Sequence, residues 1–169
     1  KPSKQRVIDE ILKKYGKLPK NIFFVKPEDN YNTYKILNKC DNILIYGSRL
    51  GIEMSALGKT VIVAGEGFIR NKKIALDINS KDQYQKVLNK LPITNHMNDE
   101  KLIRAKKYAY HFFFRRMINV KILDELPLEW PNFKINKNLP EIIKNKKDKG
   151  FDKICECILD KKEFIFDEI

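Results

Sequence analysis

The sequence has few cysteines and no long apolar segment, and each absence removes a class of protein. Cys155 and Cys157, the closest pair among its three cysteines, are separated by one residue rather than the two common in zinc knuckles, so we expect no metal. No run approaches the roughly 20 apolar residues that span a bilayer. The first residues also lack the apolar core of a signal peptide. We therefore expect a soluble, cytoplasmic protein.

The motifs of several enzyme classes are also missing. Neither a Ser-His-Asp arrangement nor a Walker-type lysine loop can be identified, so the catalytic residues stay unknown and we expect no cofactor. The 169 residues are 43% hydrophobic, which is enough for one packed domain with an appendage. The net charge of +12 fits either a nucleic-acid partner or a lysine-rich solvated surface.

Apolar runs alternate with helical patterns in the first half of the chain. The runs 22–25, 43–46 and 61–64 have the form of strands covered on both faces. Helices are expected at 3–15, capped by Ser3, at 31–39 and at 50–57. Because crossovers of this length join parallel strands, we predict a Rossmann-like, three-layer α/β domain with a parallel sheet.

Helical patterns continue beyond the predicted sheet. Ser80 and Gln83 form a capping-box pattern before a helix that Pro92 ends, and a longer helix is expected at 99–117. Beyond residue 120 the pattern is interrupted by Pro127, Pro131 and Pro140, and the last helix is indicated around residues 151–158. We therefore predict that the Rossmann-like domain spans residues 1–120 and that a helical or irregular extension follows at 121–169.

Ligands of an open parallel sheet bind beyond the carboxyl ends of its strands, where the loop 47–53 lies. Gly47 and Gly51 would let the backbone approach a phosphate, Ser48 and Arg49 offer a hydroxyl and a cation, and the following helix begins there. Glu53 would accept hydrogen bonds from sugar hydroxyls. The alternative is that the glycines only form a turn and that Glu53 complements the helix dipole.

Two further loops lie at the same predicted edge. The loop 65–73 carries Gly65, Glu66, Arg70 and Lys72, and its charge and glycines suit a mobile clamp on a diphosphate, or else a solvated surface loop. In the loop 26–30, Glu28 would hold a base or ribose, unless the loop only turns the chain and Asn30 caps the next helix.

Seven blocks between residues 18 and 118 occur in an order and spacing that resemble one known family, the capsule polysaccharide biosynthesis proteins. The blocks are Pro19-Lys20-Asn21-Ile22, Pro27-Glu28-Asp29-Asn30, Ile45-Tyr46-Gly47-Ser48, Gly51-Ile52-Glu53, Val61-Ile62-Val63-Ala64-Gly65-Glu66, Ile69-Arg70-Asn71-Lys72 and the run from Tyr108 to Ile118. The chain departs from the family pattern at three positions: Thr60 and Asn119 stand where prolines are usual, and Lys73 where a glycine is usual.

The resemblance implies a glycosyltransferase of the GT-B architecture, whose C-terminal domain holds a nucleotide-sugar donor. Relatives that use CMP-linked acidic sugars bind the donor phosphate through a His-Pro motif and a serine loop, and Ser48 matches the serine loop. The His-Pro motif is expected upstream of Lys1, so the resemblance implies a C-terminal fragment that is inactive alone. Its partners would be the donor, the missing N-terminal domain and, through the acceptor, the inner face of the membrane.

Two other functions compete with the transferase hypothesis. One is a nucleic-acid-binding module, indicated by the charge and by the stripe of Arg104, Lys107, His111 and Arg115, although no nucleic acid is expected as a partner under the leading hypothesis. His111 lies among aromatic residues and is either a proton donor or a packing residue. The other is a non-catalytic scaffold with the same fold.

Overall fold

The computed structural model describes residues 6–94, 97–126, 133–144 and 147–166 of a mixed α/β protein. Its contacts divide the chain into two compact units, residues 1–39 and 40–169. The predicted boundary between residues 120 and 121 falls within the second unit.

The first unit contains two helices, α1 (Val7–Tyr15) and α2 (Thr33–Asn38). Helix α1 ends at Gly16, whose N–H donates to the Leu12 carbonyl from the left-handed region of φ. Ser3, the predicted cap of this helix, lies outside the described residues. Helix α2 is capped by Asn32 and not by Asn30, the cap that the alternative interpretation of loop 26–30 predicted. The Asn32 side chain accepts from the Lys35 N–H at 3.0 Å.

The strand predicted at residues 22–25 is wrong. These residues form no strand, and all four side chains are exposed, with Phe23 at 87%. An uninterrupted apolar run is typical of a strand only where a sheet neighbour takes its backbone hydrogen bonds and other elements cover both faces. Among the described residues, no strand pairs with this segment.

The second unit is built on a three-stranded parallel sheet in the order β1 (Asn42–Ile45), β2 (Thr60–Val63), β3 (Leu76–Asp77). Helix α3 (Leu50–Ala56) joins β1 to β2, as the crossover pattern predicts. In the central strand β2, Val61, Ile62 and Val63 are buried, whereas burial alternates along β1. The two-residue strand β3 was not predicted.

Two helices follow the sheet, α4 (Lys81–Leu88) and α5 (Asp99–Tyr110). The predicted cap is confirmed, since the Ser80 hydroxyl accepts from the Gln83 N–H at 3.1 Å. Helix α5 continues into a π-helical turn at His111–Arg115, so the predicted helix 99–117 has close to the right extent but not a uniform geometry.

The segment 121–169 contains strands as well as the predicted helical structure. Strands β4 (Leu123–Glu125) and β5 (Phe133–Ile135) pair antiparallel, and helices α6 (Leu139–Ile142) and α7 (Lys149–Leu159) follow. The prediction of a helical or irregular extension missed these two strands. Strands of three residues are too short to show an alternation of apolar and polar side chains clearly. Pro127 and Pro131 lie outside the described residues, whereas Pro140 lies in the first turn of α6.

Candidate functional site

An open cavity of about 450 Å³ lies at the carboxyl ends of the three parallel strands. The residue that directly follows each strand lines the cavity. The other lining residues belong to the loop after β3 and to the first turns of α4. The lining consists of Tyr46, Ala64, Ile78, Asn79, Ser80, Lys81 and Tyr84. This is the edge at which parallel α/β sheets bind their ligands.

The first turn of α4 forms one side of this cavity. The Ser80 hydroxyl accepts a hydrogen bond from the Gln83 N–H, and the Ser80 carbonyl accepts one from the Tyr84 N–H. The N–H groups of Lys81 and Asp82 have no hydrogen-bond partner among the described residues. Together with the positive end of the helix dipole and the Lys81 amine, these N–H groups favour an anion.

Two tyrosine rings form the apolar part of the lining. Tyr46 is 77% exposed and Tyr84 is half-buried. The ring of Tyr46 lies so close to Gly65 that a Cβ at that position would come within 2.6 Å of it. The exposed ring of Tyr46, beside a cationic helix end, offers a stacking surface to a flat ring bound next to a phosphate.

The predicted phosphate loop after β1 is bonded within itself. The Ser48 hydroxyl accepts from the Leu50 N–H at 3.2 Å, and the next two N–H groups donate to the carbonyls of Ser48 and Arg49. A phosphate at the start of α3 would have to displace these hydrogen bonds. Ser48 and Arg49 are exposed and do not line the cavity.

The glycines of this loop approach other parts of the protein. A Cβ on Gly47 would come within 2.8 Å of the Glu66 carbonyl, so the loops after β1 and β2 lie against each other. Gly51 is buried against the side chains of Ile45 and Ile69. Glu53, one turn further, is half-buried and engaged in an interaction within the chain.

Arg70, predicted to be part of a mobile clamp, is fixed within the protein. Its side chain is 14% exposed and lies 3.5 Å from the Glu66 carboxylate. Its guanidinium donates to the Gly65 and Ile78 carbonyls at 3.1 and 2.8 Å, and to Asn79 Oδ1 at 2.7 Å. Arg70 therefore joins the loop after β2 to the residues after β3, which form one wall of the cavity.

The rest of this loop is held at several points. The Asn71 N–H donates to Asp77 Oδ2 at 2.8 Å, and the Tyr108 hydroxyl donates to the Phe68 carbonyl. Burial raises the pKa of Tyr108 and nearby Arg116 opposes that shift, so the hydroxyl stays protonated as a donor at neutral pH. The Lys72 amine lies 5.8 Å from the Tyr108 ring centre.

The other predicted residues are not part of the cavity lining. Glu28 belongs to the first unit, where it is exposed and pairs with Arg6 at 3.9 Å. In the same unit, Asp29 Oδ2 accepts from the Lys26 N–H. This hydrogen bond stabilises a turn, as expected if the loop 26–30 only turns the chain. Arg104 pairs with Glu100 at 2.6 Å, and His111 is half-buried.

Sequence reasoning predicted a site at the carboxyl ends of the parallel strands, where this cavity lies, but none of the predicted site residues lines the cavity. Asn79, Ser80, Lys81 and Tyr84 follow β3, and this strand was not predicted, so no loop was expected there. The capping box of Ser80 and Gln83 was the available signal, because it marks the start of a helix.

A larger cavity of about 750 Å³ lies in the extension near β4 and β5. Among the described residues that line it, the ionisable ones are Asp124, Glu125 and Lys121, so this part of the lining suits an anionic ligand less well. Within the described ranges, no group of three or more His, Cys, Asp or Glu side chains could hold a metal ion. The described helices include none that is long and apolar enough to cross a membrane.

Comparison with protein-family models, curated proteins and solved structures finds no match. The similarity to capsule polysaccharide biosynthesis proteins therefore stays a prediction based on the order of short motifs.

Proposed function

We propose that the second unit binds the nucleotide-sugar donor of a glycosyltransferase, as one half of a GT-B architecture that builds a capsule or surface polysaccharide. The observation that carries the proposal is the cavity where Tyr46, Ala64 and Ile78 follow three parallel strands. A ligand at that edge of a sheet is contacted by several loops at once.

The lining divides into parts that suit the two ends of a nucleotide. The N–H groups of Lys81 and Asp82 and the Lys81 amine would take the phosphate. The rings of Tyr46 and Tyr84 would contact the base or the ribose. Ser48 and Arg49, predicted to bind phosphate, Glu53, predicted to bind sugar hydroxyls, and Lys72, predicted to close over the donor, do not line this cavity. They would reach the donor only if the loops after β1 and β2 rearranged.

In the transfer reaction, the bond between the anomeric carbon and the donor phosphate breaks and a bond to an acceptor oxygen forms. Negative charge then develops on the departing nucleotide phosphate. Oriented N–H groups and a lysine amine stabilise that charge, so this unit would activate the leaving group. The base that takes the acceptor proton is not assigned to a residue of this chain.

Calorimetric titration with CMP, UDP, GDP and their sugar conjugates tests the proposal. We expect one nucleotide class to bind and Lys81→Ala to weaken its binding by about tenfold, since a hydrogen bond to a charged group contributes roughly 1.5 kcal/mol. Lys86→Ala, near the other end of α4, is the matched control and should leave the affinity unchanged. Equal losses in both variants, or no binding of any nucleotide, would count against the proposal.

A further inference from the structure

One face of α5 and the following π-helical turn exposes apolar side chains. Ile103 is 53% exposed, Tyr110 48% and Phe114 67%. Ile103 and Tyr110 are seven residues apart, which places them on the same side of a helix two turns apart. The rings of Tyr110 and Phe114 stack with their centres 5.5 Å apart, so the apolar surface continues into the π-helical turn.

The same segment is strongly basic. Residues 101–121 contain four lysines and three arginines and no Asp or Glu. Lys106 and Lys107 are exposed between Ile103 and Tyr110 along the chain, and within the described ranges neither forms an ion pair. We call the surface formed by Ile103, Lys106, Lys107, Tyr110 and Phe114 the basic aromatic face.

We propose that the basic aromatic face binds the surface of a membrane that contains anionic lipids. Lysines beside exposed aromatic and aliphatic side chains are the combination with which interfacial helices bind such membranes: the cations meet the headgroups and the apolar side chains enter the boundary with the acyl chains. Charge complementarity is therefore the argument for this occupant. The surface is independent of the nucleotide cavity described above.

Two other occupants fit the charges or the geometry less well. A second copy of the chain, docked by the same face, would bring two carboxylate-free basic segments together, and like charges repel. Single-stranded nucleic acid binds by stacking bases on aromatic rings, but Tyr110 and Phe114 already stack on each other. Ile103 offers no stacking surface.

Sedimentation of the whole chain with lipid vesicles tests this proposal. We expect binding to vesicles of phosphatidylcholine mixed with phosphatidylglycerol and little binding to phosphatidylcholine alone. Lys106→Glu combined with Lys107→Glu should weaken binding by at least about tenfold, because each cation near an anionic surface contributes roughly a fivefold factor. Phe114→Ser should also weaken it.

Two matched controls separate this face from a general charge or apolar effect. Lys13→Glu with Lys14→Glu makes the same charge change on α1, and Phe23→Ser removes a phenylalanine that is 87% exposed. Both should bind as the unchanged protein does. If the double glutamate variant loses its circular dichroism spectrum, Lys106→Gln with Lys107→Gln replaces it.

Three results would overturn the proposal. The first is equal binding to neutral and anionic vesicles. The second is an equal loss of binding in the control variants. The third is tighter binding to DNA than to vesicles, reduced by the same substitutions, which would identify a nucleic-acid surface instead.

Discussion

At the scale of single residues, the loop between β2 and β3 combines an unfavourable backbone with well-placed hydrogen bonds. Asn71 and Lys73 have φ values of 62° and 59°, in the left-handed region that favours glycine. The loop keeps this conformation because Ile69 and Ile74 are buried on either side and Asp77 accepts the Asn71 N–H. Lys73 is also the position at which the pattern of the family that the sequence is predicted to resemble has a glycine.

Replacing Lys73 by glycine should therefore not destabilise the protein. A side chain in the left-handed region costs about 1 kcal/mol, and glycine removes that cost while adding a similar entropy cost in the unfolded chain. We expect the free energy of unfolding in urea to be unchanged or up to about 1 kcal/mol higher. Lys90→Gly, at an exposed lysine without positive φ, should instead lose about 0.5–1 kcal/mol. An equal loss in both variants would contradict this account of the loop.

Arg70 should contribute to stability through its guanidinium rather than through its charge alone. Arg70→Lys keeps the charge but cannot reach the Gly65 and Ile78 carbonyls and Asn79 together. We expect urea denaturation to show a loss of about 1.5–3 kcal/mol. The control Arg104→Lys changes an exposed arginine whose one ion-pair partner among the described residues is Glu100, and it should lose less than about 0.5 kcal/mol. If Arg70→Lys costs no more than the control, Arg70 does not join the two loops.

At the scale of elements, helix α7 is fixed to the rest of its unit by its N-terminal cap. Asp148 is 3% exposed, and its carboxylate accepts from the N–H groups of Gly150 and Phe151 at 3.0 and 3.3 Å. The other oxygen accepts from the Lys121 N–H at 2.6 Å. A Cβ on Gly150 would also clash with the Asn119 carbonyl. The cap therefore holds α7 against the backbone at residues 119–121.

Removing this cap should cost more than removing an exposed one. Asp148→Ala removes a buried carboxylate that caps α7 and leaves the part-buried Lys121 N–H without its partner, so we expect thermal denaturation to show a loss of about 2–4 kcal/mol. Asn98→Ala removes the exposed cap of α5, which accepts from the Lys101 N–H at 2.9 Å, and should lose about 1 kcal/mol. Similar losses in the two variants would show that the contact with Lys121 adds nothing.

The elements that could be predicted from the sequence are those defined by local interactions. Ser80 caps α4 through a hydrogen bond to Gln83, and Gly16 ends α1, and both signals lie within a few residues. Strands depend on distant partners, so residues 22–25 were assigned to a sheet in which they take no described part. Strand β3 has only two residues, too few to show a period.

For the candidate site, the sequence predicted the edge of the sheet but not the contacts between the loops that lie there. The edge of the sheet follows from the parallel order of the strands, and Gly47 and Gly65 do lie near it. The bonds of Arg70 could not be predicted, because its partners are set by how two loops fold together. The motifs after β1 indicated a phosphate-binding loop. In the structure, N–H groups of this loop donate to carbonyls within the loop, and the motifs could not predict these hydrogen bonds.

At the scale of the whole molecule, positive charge is present at two separate surfaces. Lys81 lies at the cavity where the parallel strands end, and the basic aromatic face carries Lys106 and Lys107 on α5. With a net charge of +12, any anion will be attracted to the protein to some extent. Binding of a nucleotide therefore supports a donor site only if it is located at the cavity.

The measurement that tests the donor site most directly is nuclear magnetic resonance of the amide groups during titration with the nucleotide that binds in calorimetry. We expect the largest shifts at Lys81 and Asp82, with smaller ones at Tyr46 and Ala64, and saturation that persists at 0.3 M salt, where the roughly 6 Å Debye length weakens attraction between exposed charges. Shifts confined to Lys106, Lys107 and their neighbours, and lost in salt, would show non-specific attraction and contradict the proposed function.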